Sequence, residues 1–207
     1  MAVTPNLKNS VETVVRTVSP EASRAAPGRD NSYLLASDTT ATIMFTDIVG
    51  SSTITERLGD RTAREVLGPQ SEIIRRQTRT HGGVEVKSMG DGFMLTFPSA
   101  RAGVACAVAV QRELADYNRE HTERQLALRM GLSVGEPVRE DEDLFGNSVI
   151  LAARISGTAR GGQVLVAQIV YTLAGGTGEF TFRELGGFEL KGISSVHLLY
   201  EVVWRPS

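Results

Sequence analysis

The sequence predicts an α+β domain in which helices cover a mainly antiparallel sheet. Three observations carry this. From Thr39 onward the signals run strand, helices, hairpin, helix, strand, helix, strands. The turn "MGDG" between "GVEVKS" and "FMLTF" has the residues of a tight hairpin. No sequence repeat of fixed period is present, which sets aside solenoid and propeller architectures.

The chain has 207 residues, enough for one domain of ordinary size plus a tail. Residues 1–38 differ from the rest. "SPEASRAAPGRDNS" is small, polar and helix-breaking and reads as a linker, and "LKNSVETVVRTV" before it reads as a tail or a short helix. The domain is placed at 39–207. "ATIMFTDI" is a nearly continuous apolar run and reads as a buried strand. Residues 51–80 read as one or two helices, with Gly59 and Gly68–Pro69 as candidate breaks. Ser99 caps a helix running to about His121, with Val104, Ala107, Val110, Leu114 and Tyr117 on one face. "LALRMGLSVG" is a strand, "FGNSVILAARISGTA" a helix ended by "RGG", and "QVLVA", "EFTFREL", "FELKG" and "VHLLYEV" are late strands.

Net charge is -2 with interspersed signs, which points away from a nucleic-acid surface. The one cysteine, Cys106, lies in "AGVACAVAV" and reads as a buried thiol. That run is nine residues long, short of the ~20 that a membrane helix needs. With no basic-then-apolar signal at the start, the chain reads as cytosolic.

The chemistry centres on acidic residues. Asp47 ends the first strand, and Asp91 sits in the hairpin turn 44 residues later. Taken singly, the first reads as a helix cap and the second as a turn residue. If the first strand lies beside the hairpin, both carboxylates reach one sheet end. Their repulsion there favours a hard divalent cation, and Mg²⁺ typically takes one or two carboxylates, with water and phosphate oxygens filling its other positions. "DIVGSS" offers backbone N–H groups at a helix start, a weak anion signal by itself. No P-loop is present. Lys87 lies four residues before Asp91. Arg154 sits in apolar "VILAARI" and so requires either a protein carboxylate or a ligand phosphate. His81, His121 and His197 are scattered, without metal-ligand spacing.

"FTDIVGSS", "EVKSMGDGF", "DLFGNSVILAARI" and "LKGI", in this order, resemble the class III nucleotidyl cyclase catalytic domain over roughly residues 40–203. The resemblance implies a ferredoxin-like core and a head-to-tail homodimer with its active sites at the interface. It implies that Asp47, Asp91 and the carbonyl of Ile48 hold two divalent ions, Mg²⁺ or Mn²⁺, with Ser52 near the terminal phosphates. Lys87 and Asp143 match the pair that reads the base, Arg154 the arginine that stabilises the transition state, and Lys191 the lysine that holds the polyphosphate. The metal aspartates come from one subunit and the other four residues from its partner. Lys87 and Asp143 favour ATP over GTP, which makes the expected activity an adenylate cyclase. One position departs from the pattern. Ile150 stands where the family usually has a ribose-orienting asparagine, and Asn147, on the same helix face, is a candidate substitute. Slow turnover is the expectation. The alternative is a non-catalytic cyclase-homology domain that binds nucleotide and regulates a partner.

Overall fold

The computed structural model describes residues 39–141 and 143–205. Both readings of the first 38 residues therefore fall outside the described residues.

The chain order is β1 (Ala41–Ile48), α1 (Ser51–Thr80), β2 (Val84–Met89), β3 (Gly92–Phe97), α2 (Ala100–Glu120), β4 (Leu128–Gly135), β5 (Val138–Glu140), β6 (Asp143–Phe145), α3 (Asn147–Thr158), β7 (Val164–Ala167), α4 (Gln168–Ala174), β8 (Thr181–Glu189) and β9 (Val196–Val203). Seven strands form one sheet in the order β2-β3-β1-β4-β7-β9-β8, and β5 and β6 make a separate hairpin. Among the described residues only β4 and β7 pair in parallel. The first four strands with α1 and α2 form the split βαβ arrangement of a ferredoxin-like core, as expected.

β1 explains its own sequence. Met44 and Ile48 face a core built with Val66, Ile73 and Ile74 of α1 and Val104, Ala107 and Leu114 of α2. Ala41, Ile43 and Phe45 face the other side, where Val149 and Ala152 of α3 cover them. A strand covered on both faces has no polar side to alternate with, hence the continuous apolar run.

Local signals held where the physics is local. Ser99 Oγ accepts from the Ala102 N–H at 3.1 Å, and α2 ends at Glu120 with His121 as its C-cap. The β2–β3 turn has two residues, with Gly90 at φ 81, the positive φ of a II′ turn. α1 breaks once, at Gly59 (φ 74, ψ 159), whereas Gly68–Pro69 passes without a break. Other elements differ from expectation. "EFTFREL" and "FELKG" belong to one strand, β8, whose pairing shifts between Glu184 and Gly186. A bulge there reads in sequence as a strand end. The β5–β6 hairpin and α4 were not foreseen; both are short, below the length at which periodicity is legible.

α3 is pressed against the sheet at Gly131. A Cβ there would lie 2.1 Å from the Ser156 amide nitrogen and 2.6 Å from the Ala152 carbonyl oxygen. Backbone cannot yield as a side chain can. Gly131→Ala is expected to destabilise the domain by about 3 kcal/mol, read from denaturant unfolding. Cys106 is fully buried in the α1–α2 core, and burial pushes its thiol up to about 12. It should resist alkylation at pH 8 in the folded protein and react once the chain is unfolded in denaturant.

Candidate active site

Four features of the fold bring the sequence-predicted residues into three groups. The first is the register of β1 against β3. Thr46 pairs with Phe93, its Oγ1 accepts the Phe93 N–H at 3.1 Å, and a Cβ on Gly92 would lie 2.4 Å from the Thr46 carbonyl oxygen. This close approach seats the β2–β3 turn directly beside the end of β1. Asp47, Ile48 and Asp91 therefore share one sheet end. The turn is also held from α1, where buried Gln70 donates to the Asp91 carbonyl at 3.3 Å.

The two carboxylates differ. Asp91 Oδ2 is buried with no hydrogen-bond partner. A buried carboxylate oxygen left unpaired is costly, so this atom suits a cation. Asp47 is already paired. Arg129 stands opposite it on β4 and donates from Nε at 2.7 Å and from Nη2, both to Oδ2. Its Nη1 reaches the Gly157 carbonyl at the end of α3. Among the described residues no three acidic, histidine or cysteine side chains converge. Two carboxylates and a main-chain carbonyl fit a hard ion that completes its shell with water and phosphate oxygens.

Behind Asp47 the chain turns through Gly50 (φ 82) into α1, whose first turn has no side-chain cap. Gly50 therefore leaves the leading amides without a side-chain acceptor of its own. Ser52 lies in this turn, and its side chain is outside the described part of the structure.

The second feature is the β5–β6 hairpin, which brings Asp143 to Lys87. Lys87 Nζ donates to Asp143 Oδ2, and Asp143 Oδ1 accepts the Leu144 N–H at 2.8 Å. Both side chains are mostly buried, at 21% and 14% exposure. The residues are 56 apart in sequence.

The third is α3. Asn147, Ile150 and Arg154 follow one another along its outer side, and Ile150 is 45% exposed. The fourth is the turn between β8 and β9, which carries Lys191. Its Leu190 and Ile193 pack with Ile155 of α3. A Cβ on Gly192 would lie 3.9 Å from Arg154 Nη2, so Arg154 and the Lys191 turn are neighbours. Arg154 Nε is buried without a partner, and among the described residues no carboxylate pairs with Arg154.

Arg129 was missed in the sequence. The signal was available: like Arg154, it is a cation inside an apolar run, here "LALRMGL".

A family model described as the adenylate and guanylate cyclase catalytic domain matches residues 35–202. The chain belongs to that family. This cyclase domain is 34% identical over 168 residues to putative adenylate cyclase 3 of Rhizobium meliloti, covering 80% of this chain and 28% of that protein. It is 37% identical over 171 residues to the adenylate cyclase of Mycosarcoma maydis, covering 70% of this chain and 7% of that protein. The chain thus spans little more than a quarter of the first and a small part of the second. A crystal structure described as an adenylate/guanylate cyclase/hydrolase from Silicibacter pomeroyi matches with TM-score 0.72 at 27% identity, over 79% of this chain and 96% of that one. The guanylyl cyclase Cya2 shares the fold, with TM-score 0.70 at 24% identity over 80% of this chain and 93% of that one. No described helix of the cyclase domain is long and apolar enough to cross a membrane.

The state of Asp91 yields a stability prediction. Saturating Mn²⁺, at about 100 times Kd, contributes about 2.7 kcal/mol, and the melting temperature should rise by roughly 5 °C or more. Asp91→Asn should abolish most of that rise while leaving the metal-free melting temperature unchanged or higher, because Oδ2 has no hydrogen-bond partner to lose.

Proposed function

We propose that this cyclase domain is an adenylate cyclase, converting ATP to 3′,5′-cyclic AMP and pyrophosphate. The observation that carries the choice of base is the Lys87–Asp143 pair, an ammonium and a carboxylate held side by side with little exposure. Adenine presents an amino donor at N6 and an acceptor at N1. Asp143 Oδ2 has a lone pair left for the first, and Lys87 has further N–H donors for the second. Guanine reverses both roles, and a mismatched polar edge in a closed pocket is strongly rejected.

The ribose 3′-oxygen attacks the α-phosphorus, the bond to the β-phosphate oxygen breaks, and pyrophosphate leaves with that bond's electron pair. The hydroxyl proton passes to water or to a substrate oxygen, since no described residue is placed as a dedicated base. Asp47, Asp91 and the Ile48 carbonyl are the groups that would hold divalent ions. When bound, those ions lower the pKa of the 3′-hydroxyl and neutralise triphosphate charge. Arg154 offers a fixed guanidinium to the charge that builds on the phosphoryl oxygens, and Lys191 holds the polyphosphate.

The sites are read as lying between two copies of the chain, the carboxylates of one facing Arg154, Lys191, Lys87 and Asp143 of the other. Supporting this, one chain leaves both a buried anionic oxygen, Asp91 Oδ2, and a buried cationic nitrogen, Arg154 Nε, without partners on separate elements.

A second reading rests on Ile150. A branched alkyl group one turn before Arg154 cannot orient a ribose, and a domain that binds nucleotide without turning it over would tolerate it. Asn147, on the same side of α3, is the candidate for taking over that role.

Purified protein assayed with Mn²⁺ or Mg²⁺ and either nucleotide separates these readings. Cyclic AMP from ATP is expected; no product from either nucleotide would leave the binding-only reading. Ile150→Asn should raise kcat more than it changes KM. Mixing inactive Asp91→Ala protein with inactive Arg154→Ala protein should restore about a quarter of the activity, because half the dimers are mixed and each has one intact site.

A further inference from the structure

Glu85 and Lys87 are two residues apart on β2, a spacing that in a regular strand puts both side chains on one face. Here they lie on opposite faces. Glu85 pairs with Leu95, which faces the α1–α2 core, and Lys87 pairs with Met94, which faces the core under α3. The cause is a bulge. The pairing steps from Glu85 to Lys87 and leaves Val86 as an extra residue, packed against the α3-side cluster. Among the described residues β2 makes two side-chain ion pairs, one on each face: Glu85 with Arg75 of α1, and Lys87 with Asp143.

The Arg75 pair is bidentate, Nε to Oε2 at 2.8 Å and Nη2 to Oε1 at 3.1 Å. The same guanidinium lies over the Phe93 ring, 4.9 Å from its centroid, and Phe93 sits on β3 across from Ser88. Arg75 therefore holds residues on both sides of the bulged position, one on each strand. Among the described residues β2 is an edge strand, with no strand paired on its outer side to set its register. Slipping out the bulge would turn Lys87 to the α1 face, which Ile73, Ile74 and Phe93 fill.

We propose that Arg75 and Glu85 are positioning residues for nucleotide selectivity: their ion pair keeps Val86 bulged, and the bulge delivers Lys87 to Asp143. The inference rests on Lys87 and Asp143 being the base-contacting pair. Neither Arg75 nor Glu85 touches nucleotide.

The test compares kcat/KM for ATP and for GTP in the full chain, in Glu85→Gln and in Arg75→Met, which keeps an unbranched stem over Phe93. Lys87→Ala is the reference, and the exchange Arg75→Glu with Glu85→Arg is the rescue. All are measured below the onset of unfolding. Both single variants should raise KM for ATP and lower the ATP-over-GTP ratio by about tenfold, with kcat changed less than about threefold. The charge exchange should restore most of the ratio. An unchanged ratio in both single variants, even with a lower melting temperature, would overturn the positioning role if Lys87→Ala collapses it. An unchanged ratio in Lys87→Ala would overturn the base reading and this inference together.

Discussion

β1 lies between two layers of helices, and that constraint organises the rest. From Ala41 to Met44 every residue is buried, with side chains alternately under α1 and α2 or under α3. A charged group inside such a strand would be stranded without water. The first charge the strand can carry is therefore Asp47, next to its last residue. The neighbours arrive by pairing to β1: β3 brings the turn with Asp91, and β4 brings Arg129. The acidic end of the sheet follows from the burial of β1.

The charges that result are not balanced locally. Asp47 has Arg129, and Lys87 has Asp143. Asp91 and Arg154 each keep a buried polar atom without a partner, one at the hairpin turn and one on α3. Stability alone disfavours both, since a buried polar atom left without a partner costs free energy. Under the proposed function, a cation at Asp91 and phosphate at Arg154 would supply the missing charge.

How much could be read beforehand depended on the range of the interaction. The buried strand, the Ser99 cap and the hairpin turn at Gly90 were legible because each is set by residues within a few positions. The boundary drawn inside β8 failed because a bulge and a strand end look alike in an apolar pattern. In the site, Asp47, Asp91 and Arg154 stood out as charges in apolar or turn settings. Arg129 carried the same mark and was passed over, and Gln70 and Glu85 carried none, since a polar residue on a helix or an edge strand is ordinary.

By itself the sequence determined the elements that local chemistry dictates, the family through four ordered motifs, and which side chains carry charge where charge is expensive. The tertiary structure decided which of those charges meet. The Lys87–Asp143 and Asp47–Arg129 contacts join residues 56 and 82 positions apart. The first also depends on one extra residue in β2, and such an insertion reverses a side chain's face without altering composition or hydrophobic pattern. Register between distant segments is a property of packing, and no local run of residues encodes it.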